Sequence, residues 1–169
     1  MSLLFNSIRC GAAKVEAKCK FFMWLWLRGR ILTSNNLAIR GIPHDDICTL
    51  CDQEVETPSH LILSCLFARS VWYLVGTDLG IPPLATNAQL AGSIKHWWDE
   101  LTSCLDDRAK RVAIYTAWNI WKERNRRVFQ QKSLQEPAIL HLIKQDISLA
   151  SISTHWLSDV ENSPEPEPD

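Results

Sequence analysis

Residues 48–65 read CTLCDQEVETPSHLILSC, and their four soft donors decide how this part of the chain is held. Cys48, Cys51, His60 and Cys65 follow the spacing C-x2-C-x8-H-x4-C. Zn²⁺ prefers four nitrogen or sulfur ligands in a tetrahedron, and four protein ligands leave no open position for water or substrate. The motif therefore reads as a structural zinc site rather than a catalytic one. The competing reading is a reduced pair of surface cysteines with an unrelated core histidine. One Cys-x2-Cys alone would be weak evidence for a metal; His-x4-Cys at close range strengthens it. A small loop held this way loses much of its folding energy without the ion.

Working outward, Thr57-Pro58 offers an N-cap followed by proline at the first helical position. His60 then lies on a short helix, with Cys65 just past its first turns. Asp45 to Glu56 reads as irregular chain or a short hairpin. Upstream, Lys14 to Leu27 has apolar residues at helical spacing and is apolar on most sides, which predicts a central helix. Thr33 is a candidate N-cap for a short helix to about Arg40, with Gly41 just beyond its end. A further helix is expected from about Phe67 to Val75, burying Val71 and Trp72. Gly76 to Asn87, with Gly80, Pro82 and Pro83, is the best internal boundary. Three helical stretches follow, at about 88–105, 108–131 and 136–151. In the second, Ile114, Trp118, Trp121 and Val128 share a face with Asn125, which should need a buried partner. Asp106-Asp107 reads as a helix N-cap region, not a metal site.

The expected architecture is mainly α. A zinc-held helical subdomain with a knuckle loop at 14–76 is packed with or linked to a helical region at 88–152. Residues 77–87 are expected to be a linker, and 153–169 a disordered acidic, proline-rich tail.

A formal net charge of −1 hides strong segregation. Residues 1–44 hold seven Lys/Arg against Glu16 alone, and residues 108–132 hold eight against Glu123. Residues 45–65 hold five acids and no Lys or Arg. Such asymmetry suggests a basic surface for an acidic partner; solvated helix faces are the plainer account. The zinc motif explains half of the six cysteines, and Cys10, Cys19 and Cys104 are expected to be buried free thiols. The apolar run Phe21–Leu27 is too short to span a bilayer. A soluble, intracellular protein of the nucleus or cytoplasm is expected.

Phe21-Phe22-x-Trp24, Arg30-Ile31-Leu32-Thr33-x3-Leu37, Arg40-Gly41-Ile42, Cys48-x2-Cys51, Glu54-x-Glu56-Thr57, His60-Leu61 and Cys65-x2-Ala68-Arg69-x2-Trp72 stand in order. Over about residues 14–76 the chain resembles the zinc-binding domain that follows the polymerase in plant LINE-type (non-LTR) reverse transcriptases. Ile120-Trp121-Lys122-Glu123-Arg124-Asn125-x2-Val128-Phe129 is similar to a segment that follows this domain in those elements. The resemblance implies Cys48, Cys51, His60 and Cys65 as zinc ligands and a retrotransposon origin. The paired palm carboxylates that a polymerase needs for two metals are not recognisable, nor is an RNase H carboxylate set. No enzyme is expected.

The expected function is a non-catalytic zinc module that binds RNA or DNA through basic helices. Phosphate contacts need accessible Lys and Arg. The candidates are Arg28, Arg30 and Arg40, or Lys122, Arg124, Arg126 and Arg127. The zinc loop itself is a poor phosphate site, because three thiolates on Zn²⁺ and five nearby carboxylates sum to about −6. The alternatives are an adaptor that offers this acidic knuckle (Asp52, Glu54, Glu56) to a basic protein partner, or a remnant without a selected role. No small-molecule substrate and no membrane are expected.

Overall fold

The computed structural model describes residues 15–86 and 93–161, with side chains as far as residue 151. Residues 1–14, 87–92 and 162–169 lie outside this range, and with them Cys10 and most of the expected tail. The described chain forms seven α-helices: α1 (Ala17–Leu27), α2 (Ser34–Ile39), α3 (Leu66–Asp78), α4 (Pro82–Thr86), α5 (Ile94–Cys104), α6 (Asp107–Gln130) and α7 (Glu136–Glu161). The only β pairing among the described residues is an isolated antiparallel bridge between Ile47 and Val55. None of these helices is long and apolar enough to cross a membrane.

The helix ends follow local chemistry. Asp106 caps α6 by accepting from the Ala109 amide at 2.7 Å. Gly41 takes φ +66° just past α2, a left-handed conformation that glycine adopts without steric penalty. Thr57 accepts from the His60 amide at 3.0 Å, the cap expected ahead of the metal-site histidine.

The central helix is α6, not α1 as expected. Helix α1 buries one side only, through Cys19, Phe22, Met23 and Trp26. Its spacing of apolar residues is helical, but Phe21 and Leu25 lie outside that buried stripe. Helix α6 is enclosed almost all round from Val112 to Ala117, because α1 packs on one side and α7 on another. Its buried band includes Asn119, which donates to the Tyr115 carbonyl and to Asp146 Oδ2, each at 2.8 Å. The partnered buried asparagine is therefore Asn119. Asn125 is half-buried, Trp118 and Trp121 are half-buried, and Val128 is 37% exposed.

Trp97 of α5 joins the early and late helices. Its ring meets Trp26 and Trp72 edge-on, each at 5.6 Å, and Trp98 at 6.1 Å. Phe22 of α1 packs on Trp118 and Trp121 of α6 at 5.4 and 6.1 Å. Edge-to-face aromatic pairs add to the area they bury. The subdomain and the later helices thus share one core, the packed form of the expected architecture.

Two boundary expectations and one burial expectation change. Residues 77–87 are not a plain linker: α3 continues to Asp78, and α4 lies against it with Leu84 only 1% exposed. Residues 153–161, expected to be disordered, extend α7. Cys104 is exposed rather than buried, although Cys19 is buried as expected.

Helix α4 can approach α3 because Gly76 has no side chain. A Cβ there would lie 2.5 Å from the Ala85 backbone nitrogen. Gly76→Ala should therefore destabilise the chain by about 1–3 kcal/mol through overpacking. Urea unfolding monitored by circular dichroism reads this directly; unchanged stability would mean that α4 does not pack there.

Candidate metal centre

The four donors arrive on three short pieces of chain. Cys48 and Cys51 sit on a turn closed by the Asp52 amide donating to the Cys48 carbonyl at 2.8 Å. Asp52 takes φ 55°, a left-handed conformation that Asp tolerates better than bulkier residues. Across the bridge, Cys48 N–H donates to the Glu54 carbonyl and Glu56 N–H to the Asp46 carbonyl, at 2.8 and 2.9 Å. His60 begins a single wide turn, His60–Ser64, in which the Cys65 amide donates to the His60 carbonyl at 2.8 Å. Single π-type turns are rare and are frequently found at functional sites. Here it delivers Cys65 at the break before α3.

Two buried indoles fix that segment. Trp26 Nε1 donates to the Pro58 carbonyl at 2.9 Å, and Trp72 Nε1 donates to the Ile62 carbonyl at 2.7 Å. The donor atoms of Cys48, Cys51, His60 and Cys65 all lie within 4.8 Å of one another. Cys48 Sγ and Cys65 Sγ are 3.9 Å apart, and Cys51 Sγ is 3.4 Å from His60 Nε2. A tetrahedron with metal–sulfur bonds of about 2.3 Å has edges of about 3.8 Å, so these separations fit one ion.

His60 Nε2 faces the sulfurs, while Nδ1 lies 3.2 Å from Glu54 Oε2 and 3.3 Å from Ser64 Oγ. A carboxylate behind a ligating imidazole fixes its tautomer and orientation. Hydrogen bonding to Cys48 and Cys51 raises the His60 imidazole to about 9, against the opposing effect of burial. Hydrogen bonding to Cys65, together with burial, pushes the Cys48 thiol up to about 12, and the same bond lowers Cys65. Thiolate and imidazole ligands bind a metal in their deprotonated forms, so binding here releases protons.

The predicted basic residues divide. Arg124 is 4% exposed and grips Glu56, which is fully buried. Its Nη2 donates to Glu56 Oε1 at 2.7 Å, and its Nε lies 3.1 Å from both carboxylate oxygens. Glu56 also accepts from the Ser34 amide at 2.9 Å, in place of a Thr33 side-chain cap on α2. Arg127 donates to the Thr49 and Leu50 carbonyls at 3.1 and 3.2 Å, inside the Cys-x2-Cys turn. It also pairs with buried Glu123 at 2.9 Å and stacks over Phe67 at 4.6 Å. Arg126 pairs with Glu123, and Lys122 pairs with Asp146 at 3.1 Å.

The α6 bases therefore serve the interior or internal ion pairs, a role their sequence spread around the polar arc did not reveal. Glu56, expected on the acidic rim, is buried; Asp52 and Glu54 are exposed. By contrast, Arg28, Arg30 and Arg40 are exposed and have no carboxylate partner among the described residues. Arg28 lies over the Trp24 ring at 4.4 Å. Sequence reasoning missed Arg127 as a support of the turn and Glu56 as a distant cap. The carbonyls that Arg127 meets lie 77 and 78 residues away and the Ser34 amide that Glu56 caps lies 22 away, with no local signal.

Residues 8–72 match the family described as zinc-binding in reverse transcriptase. No curated protein and no solved structure matches the chain.

Loss of an outer partner of a metal site costs about 10–100-fold in metal affinity. Arg127→Ala should weaken zinc binding by that amount in chelator competition, with helix content retained. Unchanged affinity would remove Arg127 from the support of the turn.

Proposed function

We propose that the reverse-transcriptase-type zinc-binding domain at residues 8–72 is a non-catalytic module of retroelement descent that presents a basic surface to nucleic acid. Cys48, Cys51, His60 and Cys65 would hold one Zn²⁺. Three thiolates and an imidazole suit that ion, and a closed set of four leaves no position for substrate. Zinc here supplies folding energy rather than chemistry.

The observation that carries the nucleic-acid reading is the contrast between the two basic sets. The α6 set is engaged with Glu56, Glu123 and Asp146. Arg28, Arg30 and Arg40 stand in water without a neutralising acid among the described residues. Asn36 of α2 donates to the carbonyls of Gly29 and Ile31, tying α2 to the turn that bears Arg28 and Arg30. Arg40 is the C-cap residue of α2, four residues beyond Asn36. Unpaired arginines contact phosphate and release counterions, which makes binding fall steeply with salt.

The test is zinc content and RNA binding on the same protein. One zinc per chain is expected, lost in Cys51→Ser. RNA affinity should fall with salt, and the double variant Arg30→Ala/Arg40→Ala should lower the logarithmic salt slope by about 1–2. Zinc with no binding to RNA or DNA would reject the nucleic-acid reading. In that case the exposed acids Asp45, Asp52 and Glu54, facing a basic protein, become the better candidate surface.

A further inference from the structure

Helix α1 turns Cys19, Phe22, Met23 and Trp26 inward. Its other side carries Lys20, Phe21 and Trp24, with Arg28 at the C-cap; Trp24 lies four and three residues from Lys20 and Phe21, and Arg28 four from Trp24, so the four fall along one outer stripe. The Phe21 and Trp24 rings stack at 5.9 Å with an interplanar angle of 15°. The Arg28 guanidinium lies over Trp24, and Phe21 is 53% exposed. The stripe thus places two nearly parallel aromatic rings and two cations on one solvent-facing surface. No acid occurs from residue 17 to 27, and Lys20 and Arg28 have no carboxylate partner among the described residues.

We infer that this outer stripe of α1 is a stacking platform for single-stranded nucleic acid. A base stacks on Phe21 while Arg28 and Lys20 meet the flanking phosphates. The inference rests on the nucleic-acid reading above and adds the form of the strand. Every base has a π face, so stacking on an aromatic side chain tolerates any sequence. A duplex keeps those faces within its own stack, and only an unpaired strand can offer one. The ring pair is already ordered, which lowers the entropy lost on binding. Charge complementarity selects a polyanion over a basic or neutral partner, since the charges on the stripe itself, Lys20 and Arg28, are both positive and neither pairs with a carboxylate among the described residues.

The experiment measures binding of the full zinc-loaded chain to an unstructured oligouridine and to a blunt RNA duplex of matched length. Phe21→Ala should weaken oligouridine binding about tenfold and leave duplex binding unchanged. Phe21→Leu keeps apolar bulk without a π face and should weaken it similarly. Phe21 is exposed, so thermal melting should match the unaltered chain in both variants.

Full oligouridine affinity in either variant overturns the platform. Arg30→Ala/Arg40→Ala separates this failure from failure of the broader reading. If that variant still loses both ligands, the charged face stands and the platform falls. If the unaltered chain binds neither ligand, both fall, and the ring pair becomes a protein-contact surface.

Discussion

The buried ion pair between Glu56 and Arg124 is the constraint on which the rest of the arrangement depends. A carboxylate with no exposed surface is tolerable only when a charge and several hydrogen bonds meet it. Arg124 supplies a forked contact, and the Ser34 amide and hydroxyl supply two more donors, at 2.9 and 3.3 Å. One side chain therefore joins three parts of the sequence: the exit from the Cys-x2-Cys loop, the start of α2 and the middle of α6. Moving any of them strands a charge in the interior. That geometry excludes a loosely tethered subdomain.

Around this pair the metal site is held from outside its own motif. Arg127, one turn beyond Arg124, reaches the carbonyls of Thr49 and Leu50, while Trp26 and Trp72 secure the carbonyls on either side of His60. The segment that matches the zinc-binding family ends at residue 72, yet α6 supplies part of its support. The family segment and the later helices are accordingly one mechanical unit. The α6 bases near the four donors are engaged internally, whereas Arg28, Arg30 and Arg40, just past the ends of α1 and α2 and in the turn between them, have no carboxylate partner among the described residues.

Much of this was legible in the sequence, and the limits are physical. The cluster of four donors was readable from the C-x2-C-x8-H-x4-C spacing, and the fold brings them within 4.8 Å of one another, close enough to hold one metal ion. The cap at Thr57, the core at Val71 and Trp72, and the start of α6 at Asp106 were readable because their signals are local. The identity of the central helix was not: α1 is apolar on most sides, but α6 has neighbours on more sides, which only tertiary packing decides. Arg124 and Arg127 looked like ordinary members of a basic arc. An arginine that pairs across 68 residues carries the same letter as one in solvent, and nothing in its neighbours distinguishes the two. Proline and glycine after Val75 suggested a linker, whereas Gly76 is the contact that lets α4 pack.

The most direct measurement is a double-mutant cycle on unfolding free energy, with Glu56→Gln, Arg124→Met and both together in the zinc-loaded chain. Removing one partner of a buried pair leaves the other uncompensated and costs about 3–5 kcal/mol. If the pair is the keystone, each single variant loses that much and the double variant loses no more than the worse single. If the two losses simply add, Glu56 and Arg124 act independently, and the coupling of the metal loop to α6 does not run through them.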